Sequence, residues 1–585
     1  MQYPTLDEQK TSRSSISAFR GYNHNLRIDE SEFYDTTNLT ADKYPLLSPR
    51  KKRGVYASPT SPQGMISKDA LCYVDGATFY INGSAVSGLT LSTDASDCPK
   101  KLISMGAYVV ILPDKKYVNT KDLTDCGSIE ATVETTNTVT FSLSKIDGND
   151  YSNDGSAVPA DTVAPSNPSN MQLWIDTSST PHTLKQYSST SAMWITIPTT
   201  YIKISSVGIG TPFEIYDGVT ISGVESELLQ DLNGTMIIWD KGDDYIVVIG
   251  VLDAVTTQSA ALTVSRKMPN MDYVIESGNR LWGCRYGTAL NGEVVNEIYA
   301  SKLGDFKNWN SFLGISTDSY AATVGTDGQF TGAIAHLGYP LFFKENCMHK
   351  VYGNFPSNYQ IQSTVCKGVQ TGSSESLAIV NSTLYYKSQS GICAYDGSLP
   401  QEMPDVFGDI AYTNATACAH NNKYYINMKN GSTWYLFVYD ASKGIWIKED
   451  NVQIDSFCSC GAELYFIDHA DNKIKTVCGS GTLEAAAVSW LAETGVIGTD
   501  SPDKKYISRL SVRMSLVTGT TVKFFMQYDS SGTWTEVSAM TGTSLRSFSL
   551  TLRPKRCDHF KLKITGTGEC NIYSVTKTIE EGSDV

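Results

Sequence analysis

The chain has 585 residues, a formal net charge of −14 and only 18% charged residues, with 46 Gly and 33 Tyr. This length allows three or four domains, and the acidic balance excludes a protein whose main task is to wrap DNA, because phosphate binding requires positive charge at the contact. The sequence has no apolar run long enough to span a bilayer and begins without a signal-peptide h-region, so we expect a protein made in a cytosol, with no membrane span.

Residues 1–54 predict an N-terminal arm, or strap, that precedes the first repeated unit. In its segment "EFYDTTNLTADKYPLLSPRKKRG", Pro45 and Pro49 favour extended backbone before them. The segment ends in four consecutive cations, Arg50, Lys51, Lys52 and Arg53. We expect these cations to pair with acidic neighbours, in this subunit or in the next one, and direct contact with DNA is the lesser alternative.

Several segments within residues 55–125 and 269–480 combine an apolar residue, a two-residue turn and a pair of bulky or aromatic residues. Four of them read "NSTLYYK", "NNKYYIN", "LGYPLFFK" and "GAELYFID". From Gly332 onward the pattern recurs about every 40 residues, the period of a four-stranded propeller blade. Because one blade cannot bury both of its faces alone, the sequence predicts an all-β fold with a β-propeller of about seven blade-like units. A β-sandwich of similar hairpins is the rival architecture.

Residues 126–268 interrupt the repeat. A linker rich in Ser, Asn, Asp and Pro is followed by "MQLWIDTSSTPHTLKQYSSTSAMWI", which predicts a compact β meander. We expect one or two β domains inserted through a blade loop, where insertions are tolerated. The aromatic residues Trp174, Tyr187 and Trp194 either form the core of this meander or, if exposed, offer a carbohydrate-binding surface.

Residues 481–585 predict a separate C-terminal β-sandwich. Apolar residues alternate with polar ones along its strands, as at Val522, Phe524 and Met526. Lys and Arg outnumber Asp and Glu in this part of an otherwise acidic chain. The excess suggests docking to an acidic partner, and an ordinary solvated face explains it equally well.

The sequence lacks the motifs of common catalytic sites. It has no GxSxG elbow, no Gly-rich phosphate loop and no HExxH, and its seven His are isolated. The main enzymatic rival is a sialidase-like propeller, but "YDSSGTWTEV" and "YDASKGIWIK" lack the Asp-to-Trp spacing of its turn boxes. We therefore predict that the chain is not an enzyme and uses no cofactor.

Metal ligands and disulfides are not expected either. Of thirteen Cys only Cys458 and Cys460 are close in sequence, and no second Cys or His pair stands at zinc spacing. The segment "DGNDYSNDG" offers oxygen ligands but lacks the closing Glu of a helical calcium loop. A flexible turn is the favoured interpretation of this segment, with calcium binding as its alternative.

Four phrases carry a family resemblance. They are "FRGYNHNLRIDESEFYDTTNLTADKYPLLSPRKKRG", "GNRLWGCRYG" with "NEIYASKLGDFKNWNSF", "AETGVIGTDSPDKKYISRL", and "RPKRCDHFKLKI". Through them the chain resembles the tail nozzle, or packaged-DNA stabilisation, proteins of short-tailed bacteriophages. The meander is similar to small modules inserted in phage tail and fibre proteins. These phrases touch under half of the chain and include no catalytic residue.

The resemblance implies a structural virion protein of a tailed bacteriophage. Copies of the chain, six as the family implies, would form the ring-shaped tail nozzle that retains packaged DNA and conducts it during ejection. Double-stranded DNA would pass without specific binding, and the partners would be tail adaptor or portal proteins and tail fibres. The protein would be assembled in the bacterial host cytoplasm and located in the virion tail. The alternative function is a carbohydrate-binding, receptor-recognition propeller.

Overall fold

Short antiparallel strands build most of the regular structure. The computed structural model describes residues 11–289, 292–500 and 503–581, so the first ten residues of the predicted arm lie outside the described residues. Within these ranges the helical elements are four 3₁₀ helices, Ala95–Asp97, Glu227–Leu232, Pro356–Asn358 and Ser374–Ser376. The predicted fold class is confirmed: the protein is an all-β propeller of seven blades with an inserted β domain and a C-terminal β-sandwich.

The arm leads into the first two blades. The arm strands are β1 (Thr11–Ile16), β2 (Phe33–Thr37), β3 (Leu39–Thr40), β4 (Ser48–Pro49) and β5 (Gly54–Ala57). Blade A consists of β6 (Pro62–Lys68), β7 (Ala70–Asp75), β8 (Thr78–Ile81) and β9 (Ser84–Ala85). Blade B consists of β10 (Lys101–Met105), β11 (Tyr108–Leu112), β12 (Lys116–Asn119) and β13 (Cys126–Ser128). Strand β13 falls within the predicted insertion but pairs with β12, so the insertion begins after it.

The insertion folds into three sheets around one apolar core. Its strands are β14 (Ala131–Glu134), β15 (Val139–Ser144), β16 (Ala160–Asp161), β17 (Leu173–Asp176), β18 (Thr183–Ser188), β19 (Met193–Thr196), β20 (Tyr201–Ser205), β21 (Gly218–Ser222), β22 (Gly234–Ile237), β23 (Asp240–Gly242), β24 (Tyr245–Ile249), β25 (Thr256–Gln258) and β26 (Thr263–Arg266). Two of the sheets have the orders β14-β26-β21-β22 and β23-β24-β20-β15-β25. The meander β16–β19 forms a third sheet that packs on the same core.

Five more blades follow the insertion, each beginning with its innermost strand. Blade C is β27 (Tyr273–Ser277), β28 (Arg280–Thr288), β29 (Val294–Ala300) and β30 (Tyr320–Thr323); blade D is β31 (Gly332–His336), β32 (Tyr339–Lys344), β33 (Cys347–Tyr352) and β34 (Gln360–Val365). Blade E is β35 (Ala378–Val380), β36 (Thr383–Lys387), β37 (Ile392–Tyr395) and β38 (Gln401–Glu402); blade F is β39 (Thr413–His420), β40 (Lys423–Asn430), β41 (Thr433–Asp440) and β42 (Ile445–Lys448). Blade G contains β43 (Ile454–Cys460), β44 (Glu463–Asp468), β45 (Ile474–Thr476) and β46 (Thr482–Leu483).

Blade G is completed by the N-terminal arm. Strand β5 lies between β45 and β46 and pairs antiparallel with both, which gives the sheet order β43-β44-β45-β5-β46. Backbone hydrogen bonds from the beginning of the chain therefore fasten the last blade. Since blade G also packs against blade A, this pairing closes the ring.

Alternate residues of each strand pack on opposite neighbouring blades. In β32, Leu341 and Phe343 pack with blade E, whereas Phe342 between them packs with blade C. In β40, Tyr424 packs with blade E and Tyr425 with blade G. This follows from the two-residue period of a strand. The paired bulky residues of the repeat are thus the inter-blade contacts, and such clusters link every adjacent pair of blades from A to G and G to A.

The C-terminal sandwich takes two of its strands from the arm. Its own strands are β47 (Ser489–Thr494), β48 (Lys505–Leu516), β49 (Thr521–Tyr528), β50 (Thr535–Thr541), β51 (Arg546–Ser549), β52 (Phe560–Thr567) and β53 (Cys570–Glu581). They form sheets of order β2-β47-β52-β49-β50 and β1-β53-β48-β51, and Phe19 and Phe33 of the arm lie in the core between them. The sequence predicts a strap into the first blade but not this pairing, because strands from opposite ends of a chain share no local pattern.

Gly54 lies at the closure of the ring, where a side chain has no room. Its N–H donates to Thr476 Oγ1 at 3.0 Å. A Cβ at this position would lie 1.7 Å from the carbonyl oxygen of Ser480 and 2.8 Å from Thr476 Oγ1. Because the nearest atom belongs to the backbone of the same blade, it can move away only if the sheet opens.

We expect Gly54→Ala to lower the free energy of unfolding by about 1–3 kcal/mol, the usual cost of forcing extra volume into a packed site. Gly325→Ala is the matched control, since a Cβ there would meet no atom within 4 Å, and its effect should stay within about 0.5 kcal/mol. Urea unfolding followed by tryptophan fluorescence measures both variants. Equal midpoints for the two would show that the closure tolerates a side chain at position 54.

Candidate functional site

The basic stretch of the arm lies at the closure of the propeller. The buried guanidinium of Arg53 forms ion pairs with Glu449 Oε2 at 2.9 Å and with Asp450 Oδ2 at 2.7 Å. Both acids directly follow β42 of blade F. The ring of Phe466 in blade G lies 5.2 Å from the guanidinium carbon. Arg53 therefore joins the arm to the last two blades.

Burial sets the electrostatics of this ion pair. It lowers the pKa of Arg53, but the carboxylates of Asp450 and Glu449 outweigh it, and the net shift of that pKa is upward. Burial also raises the pKa of Glu449, against the opposing effect of Arg53. Arg53 is thus the main compensation for buried Glu449, while Asp450 and Glu449 together compensate Arg53. Removing Arg53 leaves the Glu449 charge in a site that water does not reach.

Arg50 and Lys52, in the same stretch, also contact residues of their own chain. Arg50 Nε donates to Asn38 Oδ1 at 2.7 Å, and its terminal nitrogens lie 3.9 Å from Asp450 Oδ2 and 3.8 Å from Glu484 Oε2. Lys52 Nζ donates to the carbonyl oxygen of Glu484 at 3.0 Å. These two side chains therefore hold the end of the arm against the segment that follows blade G.

The basic stretch was expected to pair with acidic neighbours in this subunit or in the next one, and for Arg53 both acidic partners belong to its own chain, which encloses the side chain. A contact of exposed Lys51 with the next subunit stays a prediction. The partners Glu449 and Asp450 were missed by the sequence analysis. They form an acidic pair at the end of a blade strand, but only the tertiary pairing of β5 brings them to the arm.

The three aromatic residues of the meander mainly contact one another. The Trp174 side chain is 5% exposed, and its indole N–H donates to the carbonyl oxygen of Asp161 at 3.1 Å. The Trp194 ring centroid lies 5.3 Å from that of Trp174 and 5.4 Å from that of Tyr187. Of the two alternatives, core or exposed surface, Trp174 takes the first, since it fills the interior of the meander, while Tyr187 and Trp194 are half-buried.

A cavity of about 390 Å³ opens where several innermost strands begin. Lys101 at the start of β10 and Tyr273 at the start of β27 line it, together with Met271 and Glu375. Lys101 Nζ lies 2.8 Å from Glu375 Oε1, and this cation holds the pKa of Glu375 below its usual value. Burial raises the pKa of the neighbouring Asp272. The cavity therefore combines apolar walls with charged groups of both signs, which suits a small polar ligand.

The residues considered as metal ligands are not gathered into a site. In the described ranges no group of three His, Cys, Asp or Glu is arranged to hold a metal ion. All thirteen cysteines are free thiols. In the Asp-rich turn, Asp147 Oδ1 accepts the backbone N–H of Asn149 at 3.1 Å.

Among residues 11–289, 292–500 and 503–581 no helix combines the length and the hydropathy that a bilayer span requires.

Comparison with known proteins gives structural matches only. No protein-family model matches the chain, and no curated protein matches it. An exo-beta-1,3-galactanase from Phanerochaete chrysosporium is similar over 52% of this chain and 94% of its own, at 10% identity and a TM-score of 0.23. A glycoside hydrolase matches 52% of this chain and 96% of its own, at 11% identity and a TM-score of 0.20. The extracellular domain of a proposed one component system from B. thetaiotaomicron covers 92% of this chain and 98% of its own, at 8% identity and a TM-score of 0.21.

The prediction that the chain is not an enzyme is corrected by these matches, since they include glycoside hydrolases. That prediction rested on missing sequence motifs, and residues from separate blades can form a site that no motif reveals. TM-scores this low assign no activity in its place.

We expect Arg53→Ala to lower the free energy of unfolding by about 3–5 kcal/mol, because Glu449 would remain buried without its main partner. Lys51→Ala, in the same stretch but exposed, is the control and should change it by less than about 0.5 kcal/mol. Urea midpoints measure both variants.

The deficit of Arg53→Ala should also depend on pH. Because the pKa of Glu449 is raised in the folded chain, the folded state takes up a proton there before the unfolded state does, and stability rises as the pH falls through that range. Arg53 opposes this rise, so in Arg53→Ala the pKa of Glu449 should rise further and the variant should gain more from acidification than the wild-type chain. The deficit should therefore be smaller at about pH 5 than at about pH 8. A deficit that grows on acidification would contradict the assignment of Glu449 as the buried partner.

Proposed function

We propose that this chain is a structural protein of a tailed-bacteriophage virion, one subunit of a ring that forms the tail nozzle, the distal part of the tail tube. The phrases at residues 19–54 and 278–312 support the proposal through their resemblance to that family. The observation that carries it is the path of the arm. One segment supplies two strands to the sandwich and one strand to blade G, so that neither body can separate without breaking the pairing of the arm.

This path gives the subunit mechanical continuity. A load on the sandwich passes to the propeller through paired strands and through the ion pair of Arg53 with Glu449, in addition to the covalent link. Loads along hydrogen-bonded strands are shared by many bonds at once. A tube wall that retains DNA under pressure requires this kind of resistance.

The charge of the chain fits the passage of DNA. At a net charge of −14 the subunit repels phosphate on average. DNA next to it therefore does not gain the binding free energy that a cationic surface provides by releasing counterions. In the proposed nozzle the duplex slides through the opening of the ring without specific binding. Adaptor or portal proteins hold one end of the ring, and tail fibres attach at its periphery.

The purified full-length chain tests this proposal. We expect mass photometry and negative-stain electron microscopy to show closed rings of six copies with a central opening, formed alone or on the adaptor ring. We expect gel-shift assays with double-stranded DNA to show no stable complex at physiological salt. A chain that remains monomeric in both settings would overturn the proposal, and tight DNA binding would overturn the mechanism of passage.

A second candidate function is binding of a carbohydrate, and the cavity where the innermost strands begin favours it. Tyr273 offers an aromatic ring, while Lys101, Glu375 and Asp272 offer donors and acceptors around it. This place differs from the meander, where Trp174 is buried and the other two aromatic residues pack on each other.

A glycan array probed with the full-length chain tests the second candidate. Binding in the cavity should be lost in Tyr273→Ser and retained in Trp194→Ser, because the two residues lie in different parts of the chain. Loss in Trp194→Ser alone would instead locate the site in the meander. No binding by the wild-type chain would rule out this function for the glycans on the array.

A further inference from the structure

One outer face of the C-terminal sandwich carries arginines that have no acidic partner among the described residues. Arg13 of β1 and Arg509 of β48 both lie opposite Thr578 of β53, and Arg513 lies opposite Ser574 on the same strand. Directly paired residues project to the same side of a sheet, so the three arginines share one face. All three are exposed, and no described residue forms an ion pair with them. We refer to Arg13, Arg509 and Arg513 as the arginine face.

Short hydroxyl side chains occupy the positions between these arginines. Ser15, Thr576 and Ser511 form a row across three strands. Ser15 Oγ and Thr576 Oγ1 lie 2.9 Å apart. Because these side chains are short, the guanidinium groups stand above the surface of the sheet. A planar guanidinium presented in this way can donate two parallel hydrogen bonds to a carboxylate.

The carboxylate on the same side of these strands does not neutralise the arginine face. Glu580 of β53 lies opposite Tyr506 and accepts a hydrogen bond from its hydroxyl. That hydrogen bond holds the pKa of Glu580 below its usual value, so the group stays ionised and already has a donor. The arginine face is therefore a cationic surface with unused hydrogen-bond donors.

The inserted domain has the opposite charge. Between Lys203 and Lys241 the sequence contains six acids and no Lys or Arg. The acids Glu225, Glu227 and Asp231 are exposed at and beside the 3₁₀ helix in this segment. Leu228, among them, is 70% exposed. We refer to residues 225–231 as the acidic segment.

These two surfaces belong to different sectors of the ring of blades. The inserted domain leaves the propeller between blades B and C and is fixed to blade C by Asn308, whose side chain binds Gly218 N at 3.1 Å and Tyr216 O at 2.7 Å. The sandwich lies against blade F through contacts of β2 with β42. Around the ring, blades D and E separate blade C from blade F on one side, and blades G, A and B separate them on the other. This separation favours contact between the arginine face of one copy and the acidic segment of another copy over contact within a single copy.

We propose that the arginine face of one copy binds the acidic segment of the inserted domain of the next copy. This inference rests on the ring proposed above and names the surfaces that would close it. Two different surfaces on opposite sectors form a head-to-tail interface, which generates a ring when the rotation between copies closes. Charge complementarity selects the orientation, and Leu228 supplies an apolar contact within it.

Charge reversal in the full-length chain tests the interface. We expect Arg509→Glu with Arg513→Glu to reduce the ring fraction at least about tenfold in mass photometry, since each arginine would then repel the acidic segment. The matched control is Arg553→Glu with Arg556→Glu, which changes the charge equally at exposed positions elsewhere on the same sandwich. It should assemble like the wild-type chain. Circular dichroism establishes that both variants are folded.

Restoration and direct contact make the test specific. Glu225→Lys with Glu227→Lys should restore rings to the Arg509→Glu, Arg513→Glu chain. In a separate chain, Arg509→Lys provides an amine for a zero-length carbodiimide cross-linker. A mixture of ¹⁵N-labelled and unlabelled protein should then yield peptides that join position 509 of one copy to a carboxylate within residues 225–231 of another.

The outcomes separate this inference from the proposed function. Rings that survive reversal of Arg509 and Arg513 overturn the arginine-face interface and leave the ring itself standing. Loss of rings in the control pair as well shows a general charge effect and also overturns it, as do cross-links from position 509 to other regions only. A wild-type chain that forms no ring overturns both proposals.

Discussion

The insertion of β5 into blade G is the constraint on which the rest of the structure depends. Each blade has two apolar faces, and a row of blades leaves two of those faces exposed at its ends. Packing of the last blade against the first buries both of these faces. Strand β5 fastens this closure through backbone hydrogen bonds to β45 on one edge and to β46 on the other. The Arg53 guanidinium adds a buried ion pair beside it. Hydrogen bonds, an ion pair and apolar packing therefore all stabilise the closure of the ring between blades G and A, which we call the seam.

The seam also determines where the sandwich sits. Because the arm must reach blade G at β5, its preceding residues lie along blade F, and the sandwich forms around β1 and β2 at that place. The inserted domain, by contrast, leaves the chain between blades B and C and is positioned by blade C. One covalent chain thus carries an acidic inserted domain and a sandwich with a cationic arginine face, at separated attachments. A subunit with two unlike sides is what a head-to-tail assembly requires.

Arginine has different roles in the arm and in the sandwich. Arg53 and Arg509 carry the same charge, but Arg53 is enclosed by carboxylates and contributes to the closure, whereas Arg509 lies on a hydroxyl-lined surface and forms no ion pair with any residue that the structure describes. Burial and the neighbouring charges decide whether an arginine stabilises the fold or remains available to bind another molecule. Sequence proximity does not, since four adjacent cations at 50–53 have three different environments.

The amino-acid sequence determined the fold class and the repeat, because both follow from local periodicity. The aromatic pairs of "LGYPLFFK" and "NNKYYIN" already contain the alternation that packs each strand on two neighbours. Tertiary structure alone decided which strand completes blade G, that the arm belongs to the sandwich, and that Trp174 is interior. It also brought Lys101, Tyr273 and Glu375 to one cavity. The physical reason is that these contacts join residues far apart in the chain, and such pairing depends on ring geometry that no local pattern records.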